Sequence, residues 1–420
     1  MDLKRTLNLI DATAIGVGAI IGAGIFVVLG IAVGYAGPAV IVSMVIAGIV
    51  ALFTALSFAE LGSAIPKQGG TYEFAYQLIS PSVAFVSGCL WLFGQTVAGA
   101  AVSLGLASYF VAMFPFFPLK IVAVSAALLL TAVNLVGTKY SAIINNILVL
   151  TKILILCLFI AFGVFQTNTQ NYSQFAPNGF VGILQGAGFV FFAYLGFGRI
   201  AALGGEVKNP KRNLPLAIFV ALAVSVVLYI MTGFVATGLQ DYRILAGSGS
   251  PLADAVKVTG NTALIAGISF GALVATASVL LTNLVGLSRV SYAMATNGQL
   301  PKSMSKIHAK FGTPYVSILI TGALMVVLAF VSDLRQTAAI TSISLLSTHI
   351  ILHSSVIRLR KRNPDAKTFK APFYPLIPTL GIISCLILMF SLPLEAWIVW
   401  TGFVTAVSVY YLLKKMFRRS

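Results

Sequence analysis

The chain has 420 residues, of which 59% are apolar and only 9% are charged. Because a soluble protein carries about 25% charged residues, this composition excludes a soluble fold and favours an integral membrane protein. The 27 lysines and arginines outnumber the 10 acidic residues and give a net charge of +17. In a membrane protein this excess is typical of cytoplasmic loops, so we expect no nucleic-acid partner.

Apolar stretches long enough to cross a bilayer recur along the whole chain. A helix of about 20 apolar residues spans the hydrocarbon core. Twelve stretches meet this length, near 9–33, 39–61, 83–112, 120–137, 143–165, 181–204, 215–238, 262–293, 314–332, 337–357, 376–393 and 396–413. Continuous apolar runs argue against a β-barrel, whose strands would alternate. The sequence therefore predicts an all-α integral membrane protein with 12 transmembrane helices.

The distribution of lysine and arginine predicts how the chain is oriented. With the N-terminus inside, twenty of the 27 basic residues fall in cytoplasmic segments, four fall outside, and Lys152, Arg199 and Arg289 lie within spans. Such an asymmetry places both termini in the cytoplasm. The first apolar stretch is too long for a cleavable signal and ends in no small-residue cleavage site. We therefore expect a multi-pass protein of the plasma (cell) membrane.

The first span is rich in glycine. Gly16, Gly18, Gly22 and Gly24 fall within nine residues, and each costs a helix about 1 kcal/mol relative to alanine. Close helix packing through Gly18 and Gly22 is one explanation. The other is an interruption of the helix near the middle of the membrane.

The sixth span carries a similar segment, Phe191–Arg199, with glycines at positions 196 and 198. If spans 1–5 and 6–10 are inverted repeats, the two glycine-containing segments are equivalent, and such a pair indicates a binding site near the membrane midplane. Backbone amides at the start of a half-helix can bind a carboxylate, and carbonyls released from the other helix can accept hydrogen bonds from an ammonium group. A zwitterionic amino acid has both groups, so the sequence predicts amino-acid transport.

Four blocks of sequence, in order along the chain, resemble the amino acid–polyamine–organocation (APC) superfamily, especially its cationic-amino-acid-type and proton-coupled prokaryotic transporters. These blocks are Gly18–Phe26, Phe192–Phe197 with Glu206–Pro215, Ser288–Ala295 with Gly298–Pro301, and Arg360–Pro364 with Phe369–Pro375. The resemblance implies a five-plus-five inverted-repeat core and two peripheral helices. We expect the core over 1–358, with repeats at about 9–165 and 181–358, and a cytoplasmic loop with helices 11 and 12 over 359–420.

The resemblance also implies alternating access around a site between spans 1, 3, 6 and 8. It assigns the substrate carboxylate to amides of the first span, the amino group to carbonyls of the sixth, and side-chain selectivity to spans three, six and eight. The residues so assigned are Ile21, Gly22, Ala23 and Gly24 in the first span, Gln95, Thr96 and Gly99 in the third, and Phe192, Ala193, Leu195 and Phe197 in the sixth.

One position departs from the family pattern. Members often carry an acidic residue where this chain has Gly198, followed by Arg199, which puts recognition of a cationic side chain in doubt. We expect Arg199 to be a structural charge that snorkels or pairs with Asp11 or Glu60; gating, or contact with an acidic substrate, is the alternative. Glu60 and Glu206, near cytoplasmic helix ends, are expected to pair with loop lysines or arginines as an inner gate or helix lock.

Lys152 lies in the fifth span, about 15 Å from its cytoplasmic start. An ionisable residue at that depth is a functional candidate, and burial penalises its charged form; a lysine that reaches the interface along its stem is the alternative. Proton-coupled relatives carry a lysine where sodium-coupled relatives bind Na⁺. This resemblance implies contacts with the carbonyl of Gly18 and a hydroxyl of Thr276 or Ser278. We expect the proton as coupling ion, without sodium.

His349 and His353 are four residues apart on the tenth span and share one helix face. No further ligand for a metal site is evident in the sequence. We therefore expect these histidines to make hydrogen bonds inside the bundle, with a proton relay as the alternative.

Other classes of function are less consistent with the sequence. A membrane enzyme would need clustered acidic, histidine or cysteine residues, whereas the 10 acidic residues are dispersed, so we expect no enzyme, no metal and no cofactor beyond the coupling proton. A channel would usually be a symmetric assembly or carry a filter sequence. Within carriers, an amino acid/polyamine exchanger is the alternative to a symporter. The expected partners are an amino acid and the lipid bilayer; the particular substrate and the oligomeric state stay open.

Overall fold

Helices make up nearly all of the regular structure in the computed structural model, which describes residues 7–67, 69–136, 142–198, 200, 207–363 and 368–417. Within these residues the β-type pairing is an isolated bridge between Leu7 and Val207. The prediction of an all-α protein is confirmed. The helices are α1 (Leu9–Ile20), α2 (Leu29–Ala36), α3 (Val40–Ala64), α4 (Thr71–Leu78), α5 (Pro81–Met113), α6 (Leu119–Val136), α7 (Ala142–Gly163), α8 (Gly179–Val190), α9 (Pro210–Leu239), α10 (Tyr242–Leu245), α11 (Pro251–Val256), α12 (Thr262–Thr296), α13 (Tyr315–Val331), α14 (Leu334–Arg362), α15 (Leu376–Ser391) and α16 (Leu394–Phe417).

Across the described ranges, nine segments are long and apolar enough to cross a membrane. The first of them, Leu9–Ala64, has 56 residues and includes α1, α2 and α3. Two further apolar helices, Tyr315–Val331 and Leu376–Ser391, are shorter, with 17 and 16 residues. These segments are those of a multi-pass membrane protein.

Several long helices begin at a polar side chain that caps the free backbone amides of the first turn. Asn8 and Asp11 form a reciprocal capping box at the start of α1. The side chains of Ser80, Asn261 and Asp333 accept hydrogen bonds from the first turns of α5, α12 and α14. Such caps are preferred at helix N-termini and stabilise a helix by about 1 kcal/mol each.

The first apolar span is interrupted where the glycines predict it. α1 ends at Ile20, and the backbone of Ile21 is extended, with φ −72° and ψ 105°. After Gly22 the chain re-enters a helix through a π-helical turn, Gly24–Val28, which leads into α2. The break lies between two buried helical halves.

The sixth span differs in form from the first. α8 continues directly into a seven-residue 3₁₀-helix, Phe191–Phe197. The span is therefore overwound in this segment, whereas the sequence predicts an opened helix. A 3₁₀-helix has 3.0 residues per turn and rarely exceeds four residues, and inside a longer helix it often marks a functional hinge. Its narrower cross-section, together with Gly196, lets α1 approach the backbone of this segment.

The interrupted spans lie at the centre of the bundle. α1 packs against α9, α7 and the 3₁₀ segment, and α5 packs along α12 and α14. α16 lies at the periphery, since only 6% of its most apolar stretch is buried inside the protein. The central helices thus bring both interruptions next to α5 and α12.

Candidate functional site

A small cavity lies where the two interrupted spans meet α5 and α12. Its volume is about 40 Å³, more than the roughly 10–15 Å³ that one water molecule needs. It is lined by Ala19, Ile20, Ala23, Gly24, Gln95, Ala98, Val102, Phe192, Ala193, Leu195, Gly196, Val279 and Asn283. Most of these side chains are apolar, two are neutral amides and none is charged. The site suits a small ligand without a charged side chain.

The structure brings six of the predicted substrate-site residues together around this cavity. These residues are Ala23, Gly24, Gln95, Phe192, Ala193 and Leu195. Seven further lining positions are not among those that the sequence assigns to the substrate site: Ala19, Ile20, Ala98, Val102, Gly196, Val279 and Asn283. Ala19, Ile20 and Gly196 lie within the two glycine-containing segments. Ala98, Val102 and Val279 carry no sequence signal that separates them from other buried positions on the same helices.

The remaining predicted positions lie beside the cavity. Ile21 is fully buried at the break, and a side chain on Gly22 would meet Val279 of α12. The Thr96 hydroxyl donates to the Leu92 carbonyl of its own helix at 2.7 Å. A methyl group on Gly99 would meet the side chain of Met325 on α13. The side chain of Phe197 lies outside the described residues.

Small residues let the two interrupted spans touch through their backbones. A methyl group added at Gly196 would lie 2.1 Å from the carbonyl carbon of Ala19. One added at Gly24 would lie 2.2 Å from the Cα of Ala193. No real Cβ is tolerated at such distances from backbone atoms, so both positions require glycine because of this approach.

Tyr229 of α9 links the two interruptions. Its buried hydroxyl contacts the carbonyl oxygen of Ile20 at 2.8 Å and that of Ala193 at 3.2 Å. These carbonyls belong to the last residue of α1 and to the 3₁₀ segment, and both residues line the cavity. A buried tyrosine hydroxyl needs a hydrogen-bond partner, so a tyrosine in an apolar span is the one signal in the sequence that could have pointed to Tyr229. The identity of its partners depends on the fold.

Asn283 and Gln95 give the cavity its polar side. The Asn283 amide nitrogen donates to the backbone carbonyl of Gln95 at 2.8 Å, which joins α12 to α5. The side-chain oxygen of Asn283 is buried and has no hydrogen-bond partner among the described residues. An acceptor buried without a donor is unfavourable, so this oxygen is suited to a ligand that brings an N–H or O–H group.

Lys152 is completely buried. Its ammonium group donates to the carbonyl oxygen of Gly18 in α1 at 2.8 Å, the backbone partner that the sequence analysis names. The helix that carries Lys152 packs against both α1 and α12. Thr276 and Ser278 are buried on α12, and the Thr276 hydroxyl donates to the Ala272 carbonyl of its own helix at 2.7 Å. The complete burial argues against a side chain that extends to the interface.

On one side of the cavity, Tyr109 of α5 ties the π-helical turn to α11. Its hydroxyl donates to the carbonyl of Phe26 and accepts a hydrogen bond from the backbone N–H of Leu252 at 3.4 Å. Next to it, Val27 packs against Gly105, where a methyl group would clash at 2.4 Å. The short helix α11 precedes α12 in a segment predicted to lie outside the cell. This contact joins α5, the π-helical turn and α11 on this side of the cavity.

On the opposite side, Glu60 holds three elements together. Its carboxylate is 1% exposed and accepts two hydrogen bonds from Arg360, at 2.5 and 2.9 Å, and one from the backbone N–H of Ala371, at 2.8 Å. Arg360 also donates to the Ala371 carbonyl at 2.9 Å. The partner of Glu60 is thus an arginine in the last turn of α14. Arg199 and Glu206 lie outside the described residues.

The two histidines occupy different surroundings on α14. The ring nitrogen Nδ1 of His353 forms a hydrogen bond with the Ser57 hydroxyl at 2.8 Å, as expected for a polar group inside the bundle. The His349 ring packs edge-on against Phe58 and Phe191, at centroid distances of 5.7 and 5.6 Å. Throughout the ranges that the structure describes, no three His, Cys, Asp or Glu side chains form a group that could hold a metal ion.

A bundle of apolar helices with a small cavity between two interrupted spans is typical of a secondary transporter. The chain belongs to the amino acid permease family of the APC superfamily, since the family model matches residues 7–413. It is 35% identical to the methylthioribose transporter of Bacillus subtilis over 98% of this chain and 93% of that protein. It is 35% identical to the branched-chain amino acid permease BcaP of Bacillus subtilis, over 93% and 88% of the two chains. It is 34% identical to the chloroplastic cationic amino acid transporter 9 of Arabidopsis thaliana, over 91% and 72%.

Proposed function

We propose that this protein is a proton-coupled symporter of neutral amino acids that works by alternating access. Membership of the amino acid permease family supports amino-acid transport as the general activity. The observation that carries the specific proposal is the cavity between the broken first span and the 3₁₀ segment of the sixth, whose lining carries no charge.

The proposed topology has twelve spans in a five-plus-five inverted repeat. Leu9–Ala64, with 56 residues, is about twice the length that one crossing needs, and its α-helical run ends at Gly37, where φ is +61°. Counting this segment as two crossings and adding the helices Tyr315–Val331 and Leu376–Ser391 brings the nine segments to twelve. The core then covers 1–358 and the peripheral part 359–420, with both termini in the cytoplasm and the bilayer that of the plasma membrane.

In this proposal the substrate carboxylate binds backbone amides at Ile21–Gly24, where the extended Ile21 takes the chain out of the helix. The amino group faces carbonyls of the 3₁₀ segment. The substrate side chain points toward α5 and α12, and its apolar surroundings favour a neutral amino acid. Gly198, where relatives often carry an acid, has no side chain, so this position offers a cationic substrate side chain no counter-charge. A methyl group added there would lie 3.2 Å from the Phe58 ring.

Coupling is assigned to Lys152. In the protonated form its ammonium group binds the Gly18 carbonyl and holds α7 against α1. Loss of the proton weakens this charge-assisted hydrogen bond and leaves α1 free to move relative to α7. Movement of α1 would change the cavity, since Ala19 and Ile20 line it. An exchanger that returns with a second amino acid or amine is the alternative.

Uptake by purified protein in proteoliposomes tests the proposal. We expect uptake of labelled leucine to be saturable, and to be accelerated by an inward proton gradient but not by a sodium gradient. Alanine and valine are expected to compete with leucine more strongly than lysine or glutamate does. Methylthioribose belongs in the competition panel because a relative is named for it. Competition by methylthioribose without competition by any amino acid would overturn the substrate class. Uptake that requires an internal amino acid would identify an exchanger, and flux that does not saturate would identify a channel.

The hydroxyl of Tyr229 provides a narrower test of the site. Tyr229→Phe keeps the ring but removes the hydrogen bonds to Ile20 and Ala193. A buried polar group left without its partner costs about 1–3 kcal/mol, so we expect uptake to fall by roughly 10-fold. Tyr194→Phe is the matched control, because the neighbouring Tyr194 hydroxyl makes, among the residues that the structure describes, one longer bond of 3.3 Å to the Met44 carbonyl. Equal uptake by the two variants would contradict a role for Tyr229 in joining the interrupted spans.

A further inference from the structure

A second cavity, of about 260 Å³, lies away from the substrate site. We refer to it as the end cavity; its walls include Tyr76 of α4, Pro81 of α5, Gln299 in the segment after α12, and Tyr411, Lys414 and Lys415 of α16. It therefore lies at the end of the bundle where α5 begins and α12 and α16 end. The positive-inside prediction places this end on the cytoplasmic side.

The walls of the end cavity are basic. The ammonium group of Lys414 donates to the carbonyls of Gly298 and Gln299 at 3.0 and 2.9 Å, which fixes this lysine in the wall. Lys415 is exposed beside it. None of the described residues that line the end cavity is acidic. A basic pocket between membrane helices on the cytoplasmic side is suited to a phosphate group.

Gln299 adds a second requirement to the ligand. Its side chain is 7% exposed, and its amide nitrogen donates to the Pro81 carbonyl at 2.9 Å. The amide oxygen has no hydrogen-bond partner in the part of the chain that the structure describes. Because a buried acceptor without a donor is unfavourable, a ligand that fits here brings a hydroxyl or an N–H group as well as its negative charge.

The surface next to the end cavity is apolar. On α16, Leu412 is 59%, Leu413 48% and Met416 67% exposed. In a bilayer these side chains contact lipid, and an acyl chain can lie along them. A soluble phosphate compound would make no use of this surface, so the surroundings favour a lipid as the source of the phosphate.

We propose that the end cavity binds the headgroup of an anionic glycerophospholipid that carries free hydroxyls. The phosphodiester lies between Lys414 and Lys415, a headgroup hydroxyl donates to the amide oxygen of Gln299, and the acyl chains follow α16. The site is separate from the transported substrate and does not depend on its identity.

The test measures lipid binding to the full-length protein in detergent by native mass spectrometry. The probes are dioleoylphosphatidylglycerol, dioleoylphosphatidylethanol, which has the same charge but no hydroxyl, and the soluble glycerol 3-phosphate. We expect phosphatidylglycerol to bind about fivefold more tightly than phosphatidylethanol, because a fivefold difference in affinity corresponds to the net contribution of one ordinary hydrogen bond. Glycerol 3-phosphate is expected to displace neither lipid.

Two variants test whether the lipid binds in the end cavity. Lys415→Gln, at an exposed position that tolerates substitution, is expected to weaken phosphatidylglycerol binding about fivefold, the contribution of one lysine near a membrane surface. Lys211→Gln removes the same charge from an exposed position on α9, predicted to face the same side, and is expected to change nothing. Equal binding by these two variants would overturn the site. Equal affinity for the two lipids would overturn the role of Gln299, and displacement by glycerol 3-phosphate would assign the cavity to a soluble phosphate compound.

Discussion

Replacement of Lys152 by alanine is expected to abolish the stimulation of uptake by a proton gradient. The substitution removes the hydrogen bond to the Gly18 carbonyl and the only group in that contact that can be protonated. A hydrogen bond from a charged donor is worth about 1.5–3 kcal/mol, so the initial rate of leucine uptake should fall by roughly 10- to 100-fold. The remaining uptake should be the same with and without a proton gradient.

A second lysine supplies the matched control for this experiment. Lys120 of α6 also donates from its ammonium group to backbone carbonyls, those of Ala329 in α13 and of Ser332 directly after it. Neither of these carbonyls belongs to an interrupted span. Lys120→Ala should lower stability while leaving the response to the proton gradient intact. If Lys152→Ala transports leucine with a normal response, the coupling role is wrong.

A methyl group at Gly196 is expected to abolish transport. Its Cβ would lie 2.1 Å from the carbonyl carbon of Ala19 and 2.3 Å from the nitrogen of Ile20. These are backbone atoms of α1, so no side-chain rotation relieves the clash, and the two interrupted spans must move apart. Forced overpacking in a well-packed core costs about 1–3 kcal/mol and occasionally more. Because the clashing atoms are backbone atoms, we expect the upper end of this range, so that Gly196→Ala lowers uptake by roughly 100-fold or more and also lowers the melting temperature.

Gly267→Ala is the control for this substitution. Gly267 lies within α12, and a methyl group there meets no atom within 4 Å. Alanine is favoured over glycine in a helix by about 1 kcal/mol, so this variant should be as stable as the parent or more so and transport normally. Transport by Gly196→Ala at the parental rate would show that the close contact between the spans is not required.

The sequence was most informative where composition or glycine spacing determines local structure. Apolar run lengths predicted the all-α membrane fold, and the glycines of the first span predicted the break that the structure has at Ile21 and Gly22. The overwound form of Phe191–Phe197 was not predictable in the same way. Glycine weakens a helix without determining whether the helix opens or tightens. Here α1 lies close to Gly196, and the narrower 3₁₀ helix leaves room for this contact.

The hydrogen-bond partners in the candidate site could not be predicted, because they come from distant parts of the chain. Tyr229 is separated by 209 residues from Ile20, whose carbonyl it contacts, and Asn283 by 188 residues from Gln95. Neither side chain belongs to a motif, so only the packing of α9 and α12 against the interrupted spans reveals their partners. For the same reason the sequence predicted a basic partner for Glu60 without identifying Arg360.

The hydrogen bonds of Glu60 connect α3, α14 and the segment before α15, so these three elements are expected to move together. Ala371 belongs to the segment that leads into α15, and Glu60 binds it together with Arg360 through a shared carboxylate. When the ends of α3 and α14 separate, the Glu60 carboxylate loses its hydrogen bonds to Arg360 and Ala371 together. We therefore expect these bonds to break cooperatively rather than one by one. Because Ala371 leads into α15, the same hydrogen bonds connect the start of α15 to the ends of α3 and α14, so we expect α15 to shift when they break.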